Sequence, residues 1–294
     1  MSETGAKKLV MNDAQFARLA RIIYDRAGIH FPEAKKYVLE SRLGRRLQEL
    51  DIDSYDQYIS LLSMGPYQQD EFQEMFNKIT INETSFFRNE PQLDVFEKTV
   101  LPELIEARKG LKRLRLWSAA CSSGEEPYTL AIMLHRTLGV RLADWRVEIL
   151  GTDISELVLA TAQSGRYTDY ALRTTPTLVK TRYFKHEGAF WALDPTIRSM
   201  VSFQVHNLKD RAGARRFGQF DVIFCRNVLI YFDEAMKQGV IDTFSDALRP
   251  DGTLFIGHSE TLRGLSTPFE SVPIPQGFCY RKGQPTAPGA AKAA

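Results

Sequence analysis

The 294-residue sequence is short of the residues that staple a fold or hold a metal. Its three cysteines, Cys121, Cys225 and Cys279, are odd in number, far apart and free of any CxxC spacing. That excludes a disulfide framework or a zinc ribbon and fits buried thiols in a reducing compartment. The five histidines are equally scattered, with no HExxH or HxxxH pattern, so no metal site is expected. No apolar run approaches the roughly 20 residues that span a bilayer. The opening MSETGAKKLVMNDAQ also lacks the continuous apolar segment of a secretory signal. An excess of one charge is missing too: 38 Lys and Arg stand against 36 Asp and Glu, and the net +2 singles out no partner. The expectation is a cytoplasmic protein with no direct membrane insertion.

What is present divides in two. After a loose arm over residues 1–11, Phe16, Leu19, Ala20, Ile23 and Tyr24 recur on one helical face. Beyond the break GIHFPEAKK, Leu39, Leu43, Leu47 and Leu50 line a second helix, and DIDSYDQYISLL and YQQDEFQEMFNKI add two short ones. Residues 12–80 therefore predict a small all-helical domain, and residues 81–110 a linker leading into the next. Residues 111–282 alternate strands (LKRLRLWSA, WRVEILGTD, VSFQVHNL, FDVIFCRN, TLFIGHS) with helices, the first running from about Gly124 to Leu138. That rhythm predicts an α/β, Rossmann-like sheet covered by helices on both faces, with GFCYRK as a closing edge strand. It breaks at about 167–200, where YFKHEG and FWALDP suggest a hairpin in a small antiparallel β-subdomain, or else a decorated crossover. The Pro/Gly/Ala-rich tail, 283–294, is expected to be disordered.

Ligands of open α/β sheets sit beyond the C-terminal strand ends, here CSSGEEP, GTDIS, HNL and CRNVLIYF. The first of these loops lacks GxGxxG. It has one glycine, Gly124, and then two acids, Glu125 and Glu126, which would repel a phosphate. A ligand with an adenosine, an ammonium and no phosphate fits better, and S-adenosylmethionine is one. First-turn glutamates also suit a helix dipole without any ligand. Asp153 ends the second strand, a place for gripping ribose hydroxyls or for capping the next helix.

Five segments carry more. NETSFFRN (82–89), WSAACSSGEEPY (117–128), GTDIS (151–155), FDVIFCRNVLIYF (220–232) and LRPDGTLFIGHSE (248–260) occur in order within residues 12–281. Together they resemble the chemotaxis receptor methyltransferases, bacterial S-adenosylmethionine-dependent protein-glutamate O-methyltransferases. The resemblance implies a class I methyltransferase sheet with an inserted antiparallel β-subdomain and an N-terminal all-helical domain. It implies cofactor contacts at Asn82 and Thr84, and Arg88 between cofactor and substrate. Ala120, Gly124, Glu125 and Glu126 would form the cofactor loop, with Glu126 favoured at the methionine end. Asp153 would hold the ribose, and Asn207 and Leu208 would flank the adenine. Cys225, Arg226 and Asn227 would lie beneath the methionine, and Tyr231 near the transferred methyl. The implied product is S-adenosylhomocysteine, and the implied partner is the cytoplasmic helical domain of chemotaxis receptors. A monomer is expected, without nucleic acid.

The chemistry agrees with the residue types. A glutamate carboxylate, with an ordinary pKa of about 4.3, is already ionised at neutral pH and needs no general base. Alignment and partial desolvation suffice, and no Ser–His–Asp set is evident. Residues 35–46 hold Lys35, Lys36, Arg42, Arg45 and Arg46 against Glu40 alone. At about 100° per residue, Lys35, Arg42 and Arg46 fall within about 40°, with Arg45 nearby. A plain solvated face is one explanation. Given the resemblance, these cations would dock an acidic receptor helix. No aromatic interleaving supports a single-stranded nucleic-acid platform. The hairpin turn, with His186–Gly188 between apolar arms, looks short, as in members that need no receptor tether peptide. The competing expectations are a methyltransferase for RNA or a small molecule, and a non-catalytic chemotaxis scaffold.

Overall fold

The computed structural model describes residues 9–64, 68–274 and 277–283. The first eight residues of the expected arm, and 284–294 of the expected disordered tail, lie outside the described residues. Four helices come first. α1 (Asp13–Ala27) is opened by a reciprocal capping box between Asn12 and Gln15 and closed by Gly28 in a left-handed turn at φ +72°. α2 (Lys36–Glu49) follows a 3₁₀ turn at Glu33–Lys35, α3 (Tyr55–Ser63) starts on the Ser54 side chain, and α4 spans Gln68–Ile79. Their apolar stripes meet in a core of their own, with Leu19, Ile23, Leu39, Leu43, Tyr58 and Met75 at its centre.

Next come α5 (Glu90–Val95) and α6 (Leu101–Ala107), joined by a π-helical turn at Phe96–Val100. β1 (Arg113–Ala119), α7 (Glu125–Leu138), β2 (Arg146–Asp153) and α8 (Glu156–Ser164) then alternate. β3 (Arg166–Tyr167), α9 (Thr177–Tyr183), β4 (Phe184–Glu187), β5 (Phe190–Leu193) and α10 (Pro195–Ser199) follow. The chain ends with β6 (Val201–Val205), α11 (Arg211–Arg215), β7 (Phe220–Cys225), α12 (Glu234–Ala247), β8 (Leu248–Ile256), β9 (Phe269–Ile274) and β10 (Gly277–Lys282).

Seven strands form the main sheet in the order β6-β2-β1-β7-β8-β10-β9. The first five are parallel; β10 runs antiparallel to β8 and to β9. This is a class I methyltransferase-like α/β fold. Side chains alternate along the strands with period two. Leu114, Leu116, Val222 and Phe224 face the layer containing α7, while Trp117, Ala119, Ile223 and Cys225 face α12. Such a division fixes strand register, because a one-residue slip would exchange the two faces.

Two elements differ from expectation. GFCYRK is not the edge: β10 lies inside, and β9 closes the sheet. β9 is poorly legible in sequence because Glu270, Ser271 and Pro273 are exposed, and an edge strand tolerates proline. In the three-stranded antiparallel β3-β5-β4 subdomain, His186 and Glu187 belong to β4, paired with Trp191 and Phe190. The turn therefore falls at Gly188 (φ +64°) and Ala189.

The helical domain is tied to the open end of the sheet. His30 N donates to Tyr231 O (2.9 Å), and Ile29 forms an isolated antiparallel bridge with Phe232. Lys209 Nζ donates to the carbonyls of Tyr24 (3.1 Å) and Asp25 (2.6 Å), and Asn207 Nδ2 to that of Arg26 (2.6 Å). Lys209 and Asn207 thus satisfy the Asp25 and Arg26 carbonyls at the end of α1, while the Tyr24 carbonyl also accepts from Gly28 N (2.8 Å). Among the described residues no helix is long and apolar enough to cross a membrane, and no His/Cys/Asp/Glu group could hold a metal ion.

Candidate active site

The β1–α7 loop turns sharply. Ala120 (φ +60°), Ser122 (φ +50°) and Gly124 (φ +92°) all lie in the left-handed region, which is uncommon for residues with a side chain. At Gly124 a β-carbon would also come within 2.8 Å of Ala162 Cβ. The loop is pinned from β2: Cys121 N donates to Thr152 O (2.9 Å), and Ser122 N to Asp153 Oδ2 (2.9 Å). Asp153 Oδ1 also accepts from Ser155 N (3.0 Å). Burial raises the Asp153 carboxyl above its ordinary pKa, opposed by backbone donors including these two.

Glu125 and Glu126 face different surroundings. The Glu125 carboxylate is buried and accepts from Ser123 Oγ at 2.8 and 3.0 Å. Glu126 accepts from Ser118 Oγ (2.7 Å) and pairs with Arg226 Nη1 (3.3 Å). Arg226 is itself buried, and its Nη2 donates to Arg88 O (2.6 Å). Burial pushes the Glu126 carboxyl up, while Arg226 and Ser118 pull against it. From below, the buried Glu260 carboxylate accepts from the backbone N–H groups of Gly257 (2.6 Å), Asn227 (3.0 Å) and Ile230 (3.3 Å). An ionised carboxylate only accepts, so it suits three converging donors. It thereby fixes the loop between β7 and Tyr231.

These parts surround a cleft of about 310 Å³ between the helical domain and the C-terminal ends of the strands. Ala120, Ser122, Glu126 and Asp153 line it from the sheet, and Ile29, Phe31, Tyr37 and Arg42 from the helical domain. Its buried end offers carboxylates, and the guanidinium there, Arg226, is engaged by Glu126. Such an end suits ammonium and hydroxyl donors rather than a phosphate.

Residues 82–278 match "CheR methyltransferase, SAM binding domain", and residues 14–80 match "CheR methyltransferase, all-alpha domain". The chain belongs to the CheR methyltransferase family. It is 34% identical over 264 residues to "Chemotaxis protein methyltransferase 2" of Vibrio cholerae, covering 89% of this chain and 90% of that protein. It is 37% identical over 272 residues to "Chemotaxis protein methyltransferase" of Escherichia coli K12, covering 90% of each chain. As a CheR methyltransferase the protein is an S-adenosylmethionine-dependent enzyme associated with chemotaxis.

The cleft brings together many of the expected residues of this CheR chain. Asn82, Thr84, Arg88, Ala120, Glu126 and Asp153 line it, as do Asn207, Leu208, Arg226, Asn227 and Tyr231. Lys35 and Arg42 reach it from the helical domain. Five expected residues are not among its lining. Cys225 ends β7 fully buried, on the face packed against α12. Gly124 shapes the loop and Glu125 turns to Ser123. Arg45 is exposed elsewhere on α2. Arg46, expected on the outward face, instead pairs with the buried Glu71 (2.7 Å) and with Glu49 (3.2 Å), leaving its side chain 18% exposed. Its apparent alignment with Lys35 arises from treating residues 35–46 as one helix, whereas Lys35 closes the preceding 3₁₀ turn. Several residues of the site escaped sequence reasoning. Ser118 and Ser122 have no pattern of their own, and Ile29 and Phe31 come from the helical domain. Glu260 was findable, since it sits in the polar GHSE turn that follows β8.

Proposed function

We propose that the protein methylates glutamate side chains in the cytoplasmic helical domain of chemotaxis receptors, yielding methyl esters and S-adenosylhomocysteine. The observation that carries this reading is the polarity of the cleft. Its buried end presents Glu126 and Asp153, while the half-buried Arg42, Arg88 and Tyr231 lie along the same cavity. A cofactor bearing an ammonium and ribose hydroxyls suits the first group, and an incoming carboxylate suits the second.

In this reading Glu126, oriented by Ser118 and Arg226, receives the ammonium, and Asp153 the ribose. Asn207 and Leu208 flank the adenine, and Asn82, Thr84, Ala120 and Asn227 line the remaining cofactor wall. Bound there, S-adenosylmethionine supplies an electrophilic methyl on a sulfonium. Arg88 orients the acceptor carboxylate by a charge-assisted hydrogen bond. Burial raises the Tyr231 hydroxyl above its ordinary pKa, so it stays protonated and can donate to the oxygen not being methylated. The helical domain closes the cleft against water, strengthening both contacts. No base is required of the chain, because the acceptor is already an anion.

The short β4–β5 turn supports independence from a receptor tether peptide. Transfer of tritiated methyl to receptor fragments with and without their C-terminal peptide tests both parts. Equal labelling of the two fragments is expected. Labelling that requires the peptide contradicts tether independence, and labelling of RNA in place of receptor contradicts the substrate.

A further inference from the structure

We propose that Tyr37 and Ile81 form an apolar clamp at the cleft mouth, selecting an acidic, amphipathic helix with an apolar side chain one turn from its acceptor glutamate. The inference rests on the receptor-glutamate reading above and adds the residues that choose which glutamate is presented. Tyr37 is 66% exposed and Ile81 51% exposed, yet both line the cleft that holds Glu126 and Asp153. Neither belongs to the core of the helical domain. α2 buries Leu39, Leu43 and Leu47, leaving Tyr37 without a folding role. Ile81 lies two residues beyond the end of α4 and directly before Asn82.

The two segments that carry these side chains are tied together. Arg42, on the same helix as Tyr37, donates through Nη1 to the carbonyls of Ile79 and Thr80, the residues that lead into Ile81. The mouth is therefore braced, and it is also cationic: Lys35, Arg42 and Arg88 line the same cleft. The acid beside them, Glu83, is occupied by Arg173 at 3.4 Å. Exposed apolar side chains set among cations complement a surface that is both acidic and apolar. On a helix, residues three or four apart are neighbours, so an acceptor glutamate entering the cleft carries the side chain one turn away onto the rim. Attraction by Lys35 and Arg42 is screened by salt, whereas apolar contact with Tyr37 and Ile81 is not.

The test uses the full-length Y37S/I81S variant, altered only at exposed positions, with a receptor cytoplasmic fragment as substrate. Its kcat/KM is expected to fall by about tenfold or more, the factor given by about 1.4 kcal/mol of lost contact. The fall persists at both low and high salt, while affinity for S-adenosylhomocysteine changes by less than about threefold. Replacing the apolar residues one turn from the acceptor with serine slows the wild type but leaves the variant unaffected. A kcat/KM within about twofold of wild type at both salts, or a loss confined to low salt, overturns the clamp. An equal loss of cofactor-product affinity does the same. If the wild type forms no ester on the fragment, the receptor reading itself fails; ester formed at an unchanged rate by the variant removes only the clamp.

Discussion

Glu125 and Glu126 are adjacent, both sit in the first turn of α7, and both are expected to bind cofactor. Their surroundings separate them: Ser123 takes the first, while Ser118 and Arg226 hold the second against the cleft. Burial raises the pKa of Glu125 in the folded protein above its ordinary 4.5. The associated stability is fully present below the unfolded value and is lost as pH rises through the folded one. Glu125→Gln should therefore melt higher than wild type at pH 8. The difference should shrink towards pH 4.5 in thermal unfolding, with cofactor-product affinity preserved. Glu126→Gln behaves differently. It leaves the buried Arg226 without its charged partner, so it should lower the melting temperature and weaken S-adenosylhomocysteine binding at least about tenfold by calorimetry. The family resemblance favoured Glu126, but no local pattern divides the two roles, because Arg226 arrives from 100 positions away. Asp153 was legible in sequence, since a strand end is a local feature.

At the scale of elements, the β1–α7 turn is where conformation and function meet. Two non-glycine residues are held left-handed beside Gly124, a cost of order 1–3 kcal/mol each that surrounding structure must offset. Gly124→Ala should lose about 1–3 kcal/mol of stability by denaturant unfolding, because its β-carbon would meet Ala162 and its φ is unfavourable. It should also weaken cofactor binding by displacing Ser122 and Glu126. Alternating strands and striped helices were readable because each is buried in a periodic way: β1, β2, β7 and α7 come close to their expected bounds. β9 was not readable, since its exposed Glu270 and Pro273 hide the alternation. α2 misled for the opposite reason. Its charge pattern looked regular, but pairing with Glu71 turns Arg46 inwards.

For the whole molecule, the helical domain is part of the cleft rather than an appendage to it. Asn207 lines the cleft and donates to the end of α1, so one residue touches the cleft and the neighbouring domain together. Lys209→Met should leave the Tyr24 and Asp25 carbonyls without this donor and loosen the domain contact. The expected result is faster proteolysis within residues 81–90, slowed by added S-adenosylhomocysteine. No periodicity could announce this contact, because it joins residues some 180 positions apart. Motif order revealed which two domains are present; only the folded chain reveals that the first supplies Ile29, Phe31 and Tyr37 to the cleft of the second.

The central claim, methyl transfer to a glutamate carboxylate, is tested most directly by the chemical nature of the product on a receptor cytoplasmic fragment. Label from methyl-tritiated S-adenosylmethionine should be released by mild alkali as methanol. Its rate of incorporation should fall by roughly 10²-fold in Arg88→Ala or Tyr231→Phe, the scale of loss when an aligned reactant is misplaced by about 1 Å. Alkali-stable label, or near-normal turnover in both variants, would contradict the account.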